Sequence, residues 1–250
     1  MKGNVIILLL GILFLITGCQ TANNEEKTIY VAAASDLYHA LTEIGLEFME
    51  ETDIKVEFTF GSTGLLTQQI QEGAPFDLFA SAHESYVDKL VEVGAIIPNS
   101  KNYYAIGRIV IMGESPGRNL DEQLLLDPEI RTITIANPEH APYGKAAKEA
   151  LEAWGIWEEV EPKLVYAENI RQAYQYVESG NADIGIIALA LMTNTDYTYE
   201  LIDESNHQPI VQALGITKQT EMEEESRLFA DFMLSARGQE ILMKYGFDLP

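Results

Sequence analysis

The chain has 250 residues, with 16 Lys+Arg against 39 Asp+Glu for a formal charge of −23, and a single cysteine. So acidic a surface repels nucleic acid and anionic lipid at long range, and any anion the chain holds must be held by local, oriented donors. One cysteine excludes an internal disulfide.

Lys2 precedes an apolar stretch over residues 5–16, the length of a signal-peptide core and too short to span a bilayer. Leu15-Ile16-Thr17-Gly18-Cys19 resembles the lipobox of bacterial lipoproteins, where a small residue precedes the cysteine that is lipidated. The resemblance implies a cleaved segment over residues 1–18 and an acyl anchor on Cys19. The polar, acidic run over 19–27 is then a tether that holds the protein to a membrane face.

From Thr28 onward, short apolar or β-branched runs alternate with amphipathic stretches, the pattern of an α/β fold with largely parallel sheets. Strands are predicted over 29–33, 55–60, 78–80, 109–112, 132–136, 164–166, 184–187 and 211–216. Helices are predicted over 37–50, 65–71, 84–93, 120–126, 145–153, 171–179, 222–234 and 237–244. In the first helix Leu37, Leu41, Ile44 and Phe48 recur every three or four residues, so one stripe faces a sheet, and Glu43, Glu47 and Glu50 lie on the solvated face.

Four strand-to-helix junctions carry small, hydroxyl or turn-forming residues: Ala34-Ser35-Asp36, Gly61-Ser62-Thr63-Gly64, the segment Asn137-Pro138-Glu139-His140-Ala141-Pro142-Tyr143-Gly144, and Ala167-Glu168-Asn169-Ile170. Open α/β sheets bind ligands at such places, because helix N-termini present free N–H groups and a partial positive charge. In the second junction, glycines free the backbone to turn amides inward and two hydroxyls can donate, but an ordinary helix cap uses the same residue types. Ser35 and Asp36 also read as caps. No GxGxxG, Walker, GxSxG or HExxH pattern is present. His39, His83, His140 and His207 lack metal-ligand spacing, and nothing pairs Asp127, Glu139 or Asp183 as acid and base. No metal, cofactor or catalytic group is therefore expected.

Taken in order from Thr28 to Phe247, Val31-Ala32-Ala33-Ala34-Ser35, Phe60-Gly61-Ser62-Thr63-Gly64, Gly73-Ala74-Pro75-Phe76-Asp77-Leu78-Phe79, the 137–144 segment, Glu168-Asn169-Ile170 and Tyr245-Gly246-Phe247 resemble the periplasmic molybdate-binding protein family. The resemblance implies a two-lobed type II solute-binding fold, with residues 28–106 and 213–250 in one lobe, 107–212 in the other, and the anion in the cleft between them. It implies that Ser35 and Ser62 donate through hydroxyls and amides, and Tyr143 and Ile170 through backbone N–H groups. It further implies a binding protein rather than an enzyme, monomeric and extracytoplasmic, that delivers molybdate or tungstate to the membrane permease of an ABC importer.

One position departs from that pattern. Many family members carry a tyrosine just after the strand that here reads Gly185-Ile186-Ile187, with its hydroxyl on the anion, whereas this chain has Ala188. Tyr143 is expected to replace it by its hydroxyl or by filling space, or else to give only its backbone N–H. An unprotonated dianion needs donors only, so neutral donors in a closed cleft suit it, and Arg171 is expected to pair at the surface. Sulfate or phosphate in the same fold remains an alternative, phosphate favouring an acceptor such as Asp36. An enzyme with Ser62 as nucleophile would lack a base, and a surface sensor would use the fold without transport.

Overall fold

In the computed structural model, residues 27–114, 119–193 and 195–250 are described; the expected signal segment, Cys19 and nearly all of the tether lie outside the described residues. Ten strands are seen among the described residues: β1 (Thr28–Ala34), β2 (Lys55–Gly61), β3 (Leu78–Ser81), β4 (Asn102–Gly107), β5 (Ile109–Gly113), β6 (Ile133–Ala136), β7 (Leu164–Ala167), β8 (Ile184–Ala188), β9 (Thr198–Leu201) and β10 (Ile210–Ile216). They form two five-stranded sheets, ordered β2-β1-β3-β10-β4 and β7-β6-β8-β5-β9. The chain passes from the first sheet to the second at Arg108, between β4 and β5, and returns between β9 and β10.

The sheets are mixed rather than largely parallel, which corrects the sequence expectation. β1 runs parallel to β2 and β3, and β6 parallel to β7 and β8, through helical crossovers. β10 is antiparallel to β3 and β4, and β5 is antiparallel to β8 and β9. The antiparallel strands are those that flank the two passages between sheets, where no α-helix intervenes.

Nine α-helices are described: α1 (Tyr38–Thr52), α2 (Thr63–Gln71), α3 (Glu84–Glu92), α4 (Glu122–Leu126), α5 (Pro142–Ala153), α6 (Trp157–Val160), α7 (Ile170–Glu178), α8 (Glu223–Leu234) and α9 (Ala236–Lys244). α1 shows how sequence makes packing. Leu41, Ile44 and Phe48 are at most 1% exposed, and the Phe48 ring meets Phe229 of α8 edge-on with centroids 5.1 Å apart. Burying each such side chain contributes about 1.5–3 kcal/mol. The helix stops at Asp53, which takes a left-handed conformation (φ 56°) and returns its N–H to the Met49 carbonyl. On the outer face Glu43 and Glu47 pair with Lys244 and Arg237 at 2.6 and 2.5 Å, tying α1 to α9.

Candidate functional site

Register brings the junctions together. Ala34 at the end of β1 pairs with Gly61 at the end of β2, so the helical starts that follow lie side by side. The second sheet repeats this with Ala136 of β6 and Ala167 of β7. Two helix starts from each sheet thus face one another across the cleft.

They enclose a cavity of about 10 Å³ lined by Ser35 and Asp36, Ser62 and Thr63, Tyr143 and Ile170, with the alanines and prolines beside them. That is near the room a single water needs. Ser35, Ser62, Tyr143 and Ile170 are each no more than 3% exposed. Ala188 is completely buried at the end of β8, paired with Ile109, and is not among the residues that line the cavity.

The local sequence explains which amides point inward. Pro142 opens α5 and has no N–H, which leaves Tyr143 and Gly144 to carry the free amides of the first turn. On α7 the Asn169 side chain caps Gln172 N at 3.0 Å and Arg171 N points at Ser35 Oγ at 3.4 Å, so Ile170 holds the remaining free N–H. Ser62 is the N-cap residue of α2 but makes no side-chain capping bond.

Instead the lobes touch through it. Ser62 Oγ lies 2.7 Å from His140 Nδ1 and donates to the His140 carbonyl at 2.8 Å, and Gly64 N donates to the same carbonyl at 2.8 Å. Neither Gly61 nor Gly64 has a positive φ. The backbone freedom expected of them is unused, and what matters at Gly64 is the missing side chain: a Cβ there would stand 2.7 Å from the His140 oxygen.

Beneath the cavity lies a buried polar network. Asp36 is not the N-cap residue, since Ala34 precedes the 3₁₀ turn Ser35–Leu37 that contains it; its carboxyl, 1% exposed, accepts from Gln212 Nε2 at 2.7 Å through Oδ2. Gln212 Nε2 also donates to Tyr143 Oη at 2.9 Å, and Gln212 Oε1 lies 2.7 Å from Tyr104 Oη. The Tyr143 hydroxyl reaches this network because Gly107 leaves the room; a Cβ there would be 2.1 Å from Oη. Burial pushes the Asp36 carboxyl up from its ordinary 3.8 to about 6, against the hydrogen bonds from Gln212 and Tyr143, which pull it down. The Tyr143 phenol is raised well above its ordinary range by burial and by Asp36.

This shift has a sign. Between about pH 4 and pH 6 the folded protein keeps a proton that the unfolded chain has lost, so stability falls as pH rises through that window. Asp36→Asn removes the titration while keeping an acceptor for Gln212. In chemical denaturation without anion, the variant's advantage over wild type should grow by roughly 2 kcal/mol from pH 4 to pH 6 and level off above about pH 7. A difference constant with pH would refute the buried titration.

Gln212 and Tyr104 were not placed at the site by sequence reasoning, which read Asp36 as a cap or a phosphate acceptor and His140 only as part of its junction. One signal was available: Gln212 is the single polar side chain in the strand Ile210–Ile216, and it is wholly buried. Arg171 lays its guanidinium 3.4 Å from the Tyr38 ring centroid. A larger cavity of about 120 Å³, lined by His83, Lys145, Glu149 and Gln208 and by the starts of α3 and α5, opens nearby, but Gln208 N there is already bonded to Glu149 Oε2 at 2.9 Å.

Two lobes, a closed cleft and opposed helix N-termini are the parts of a device that captures a small solute. Residues 29–248 match the family model described as "Bacterial extracellular solute-binding protein". The chain belongs to that family. It is 33% identical over 220 residues to the molybdate-binding protein ModA of Rhodobacter capsulatus, covering 88% of this chain and 87% of that one. It is 32% identical to YvgL of Bacillus subtilis (strain 168), provisionally named an ABC transporter substrate-binding lipoprotein, with 98% of both chains covered. Among solved structures it is similar to the periplasmic molybdate-binding protein of Azotobacter vinelandii, with a TM-score of 0.85 at 30% identity over 89% of this chain and 99% of that one. Family members are defined by binding a solute, not by catalysis.

Proposed function

We propose that the protein captures a tetrahedral oxyanion, molybdate or the like-sized tungstate, outside the cytoplasm and delivers it to the membrane permease of an ABC importer. One observation carries this reading: four helix starts, two from each sheet, converge on a cavity lined among the described residues by hydroxyl and backbone donors and the Asp36 carboxyl, without Lys or Arg. A charge-assisted bond from a neutral donor in a closed cleft is strong enough to hold a dianion, and a closed cleft excludes water from it. We assign the donors to Ser35, Ser62 and the backbone N–H groups of Tyr143 and Ile170.

We further assign residues 28–106 and 213–250 to one lobe and 107–212 to the other, and read the protein as a monomer. Cys19 carries the lipid anchor in this reading. The lipobox-like Leu15–Cys19 segment and the similarity to YvgL support it.

Calorimetric titration of the purified protein with molybdate, tungstate and sulfate tests the function. Molybdate and tungstate should bind one per chain and raise the melting temperature by mass action. Ser35→Ala and Ser62→Ala should each weaken binding by roughly ten- to a hundredfold, the worth of a charge-assisted bond of about 1.5–3 kcal/mol, while both variants still fold. Wild-type affinity in both variants would move the site elsewhere, and no binding of any of the three anions would overturn the function.

A further inference from the structure

We propose that the site takes up one proton together with its anion, and that Asp36 carries it: the carboxyl, in its acid form, donates to an anion oxygen. The inference rests on the oxyanion reading above and adds a fifth donor to it. Its basis is a single unsatisfied atom. Asp36 lines the cavity, is 1% exposed, and has Oδ2 occupied by Gln212 Nε2 at 2.7 Å; the Tyr143 hydroxyl and the Asp36 and Leu37 N–H groups also act on the carboxyl, yet Oδ1 is buried and no donor of the protein reaches it in hydrogen-bond geometry. Buried polar atoms are almost always partnered, and an orphan at the wall of a ligand cavity marks where the ligand supplies the partner.

The orientation of the network fixes what that partner must be. Tyr104 Oη donates to Gln212 Oε1 at 2.7 Å, with the Ser81 carbonyl a competing acceptor at 2.9 Å, and when its one proton goes to Gln212 the amide N–H groups of Gln212 face Asp36 and Tyr143. Oδ2 is thereby held as an acceptor, and Oδ1 is the oxygen free to bear a proton. An ionised carboxylate there would face the oxyanion as a second buried negative charge, an arrangement in which one of the two groups must be protonated. An unprotonated dianion offers only acceptors, and the acid form of Asp36 meets it with a donor.

No cationic side chain lines the cavity among the described residues. The phenols of Tyr143 on α5 and Tyr104 on β4 are held neutral by burial and by Asp36 itself. Arg171 on α7 spends its guanidinium on the Tyr38 ring, and His140 Nδ1 is engaged with Ser62 Oγ. His39 on α1 stacks with Tyr245, and burial together with Arg171 lowers its pKa, which favours the neutral ring. The 3₁₀ turn Leu189–Leu191 and the end of β2 at Phe60 and Gly61 bring only apolar groups.

The test is molybdate titration of the purified wild-type protein from about pH 6 to about pH 8.5, with proton uptake counted at about pH 8 by repeating the calorimetry in buffers of different ionisation enthalpy. Molybdate does not titrate in this range, so the proton must come to the protein. We expect one proton taken up per anion, and a Kd that rises about tenfold per pH unit at the alkaline end. Asp36→Asn keeps the acceptor for Gln212 and carries a permanent N–H donor. It should bind with no proton uptake, with a flat pH profile, and at least about tenfold more tightly than wild type at pH 8.

Tight wild-type binding that is flat with pH and takes up no proton would overturn the role of Asp36 and leave the oxyanion reading standing. The same slope in Asp36→Asn as in wild type would also overturn it. Failure of wild type to bind molybdate, tungstate or sulfate at any pH would overturn the oxyanion reading, and this proposal with it. Should the Asn variant fail to fold, the proton count on wild type decides alone.

Discussion

Gly144→Ala is expected to lower both stability and anion affinity, more than any other single methyl group added near the site. Gly144 is the third residue of α5, and a Cβ built on it would sit 2.0 Å from the Ala136 carbonyl oxygen and 2.6 Å from its carbon. Those atoms are backbone at the end of β6, inside the sheet, and cannot rotate away as the tip of a flexible side chain would. The first turn of α5 must therefore move off the strand, and overpacking of this kind costs about 1–3 kcal/mol or more. Tyr143, which lines the cavity, carries the amide assigned to the anion under the proposed function and accepts from Gln212 through its hydroxyl, moves with that turn. Losing the geometry of one charge-assisted bond should weaken molybdate binding by roughly ten- to a hundredfold. Urea unfolding and titration calorimetry on the same preparation give both numbers. Affinity within about twofold of wild type, despite lost stability, would show that the α5 amides do not hold the anion.

The elements that hydrophobic period describes were readable from the chain, and those fixed by distant partners were not. Leu41, Ile44 and Phe48 announced α1 by their spacing, and all three are buried. β9, Thr198–Leu201, has no buried residue and owes its existence to pairing with β5, so no apolar run betrayed it. β4 mixes exposed Asn102 and Tyr103 with buried Tyr104 and Ala105, and forms because β10 pairs with it from more than a hundred residues away. The four junctions were recognisable by their small and hydroxyl residues, and the structure does draw Ser35, Ser62, Tyr143 and Ile170 to one cavity. Asp36 looked like a helix cap because nothing local shows Gln212, which lies 176 residues on in the sequence and holds the carboxyl inward. Ser62 and His140, 78 residues apart, likewise meet only across the cleft.

Gly64→Ala should leave each lobe folded yet weaken anion binding by up to about a hundredfold, because it acts on the meeting of the lobes alone. The added Cβ would stand 2.7 Å from the His140 carbonyl oxygen, 2.8 Å from its Cβ and 3.0 Å from its Cα, all on the opposite side of the cleft. Within its own helix the residue is the second of α2, where alanine is a better helix former than glycine, so the open form loses nothing and gains slightly. Gly64 N lies 2.8 Å from the His140 oxygen in the structure, and the variant can keep that separation only by displacing backbone. If overpacking costs about 3 kcal/mol in the closed form only, the competent fraction falls about a hundredfold. Apparent affinity falls by the same factor, since an anion that needs donors from both lobes binds only the closed form. X-ray scattering with and without molybdate, beside calorimetry, separates this from a damaged site: wild type should compact on binding, and the variant should compact only at correspondingly higher anion concentration. Unchanged affinity in Gly64→Ala would mean that the contact with His140 is not part of the anion-bound state. The hydrogen bonds of Ser62 and Gly64 to His140 would then belong to the empty protein, and closure on the ligand would have to follow a different path.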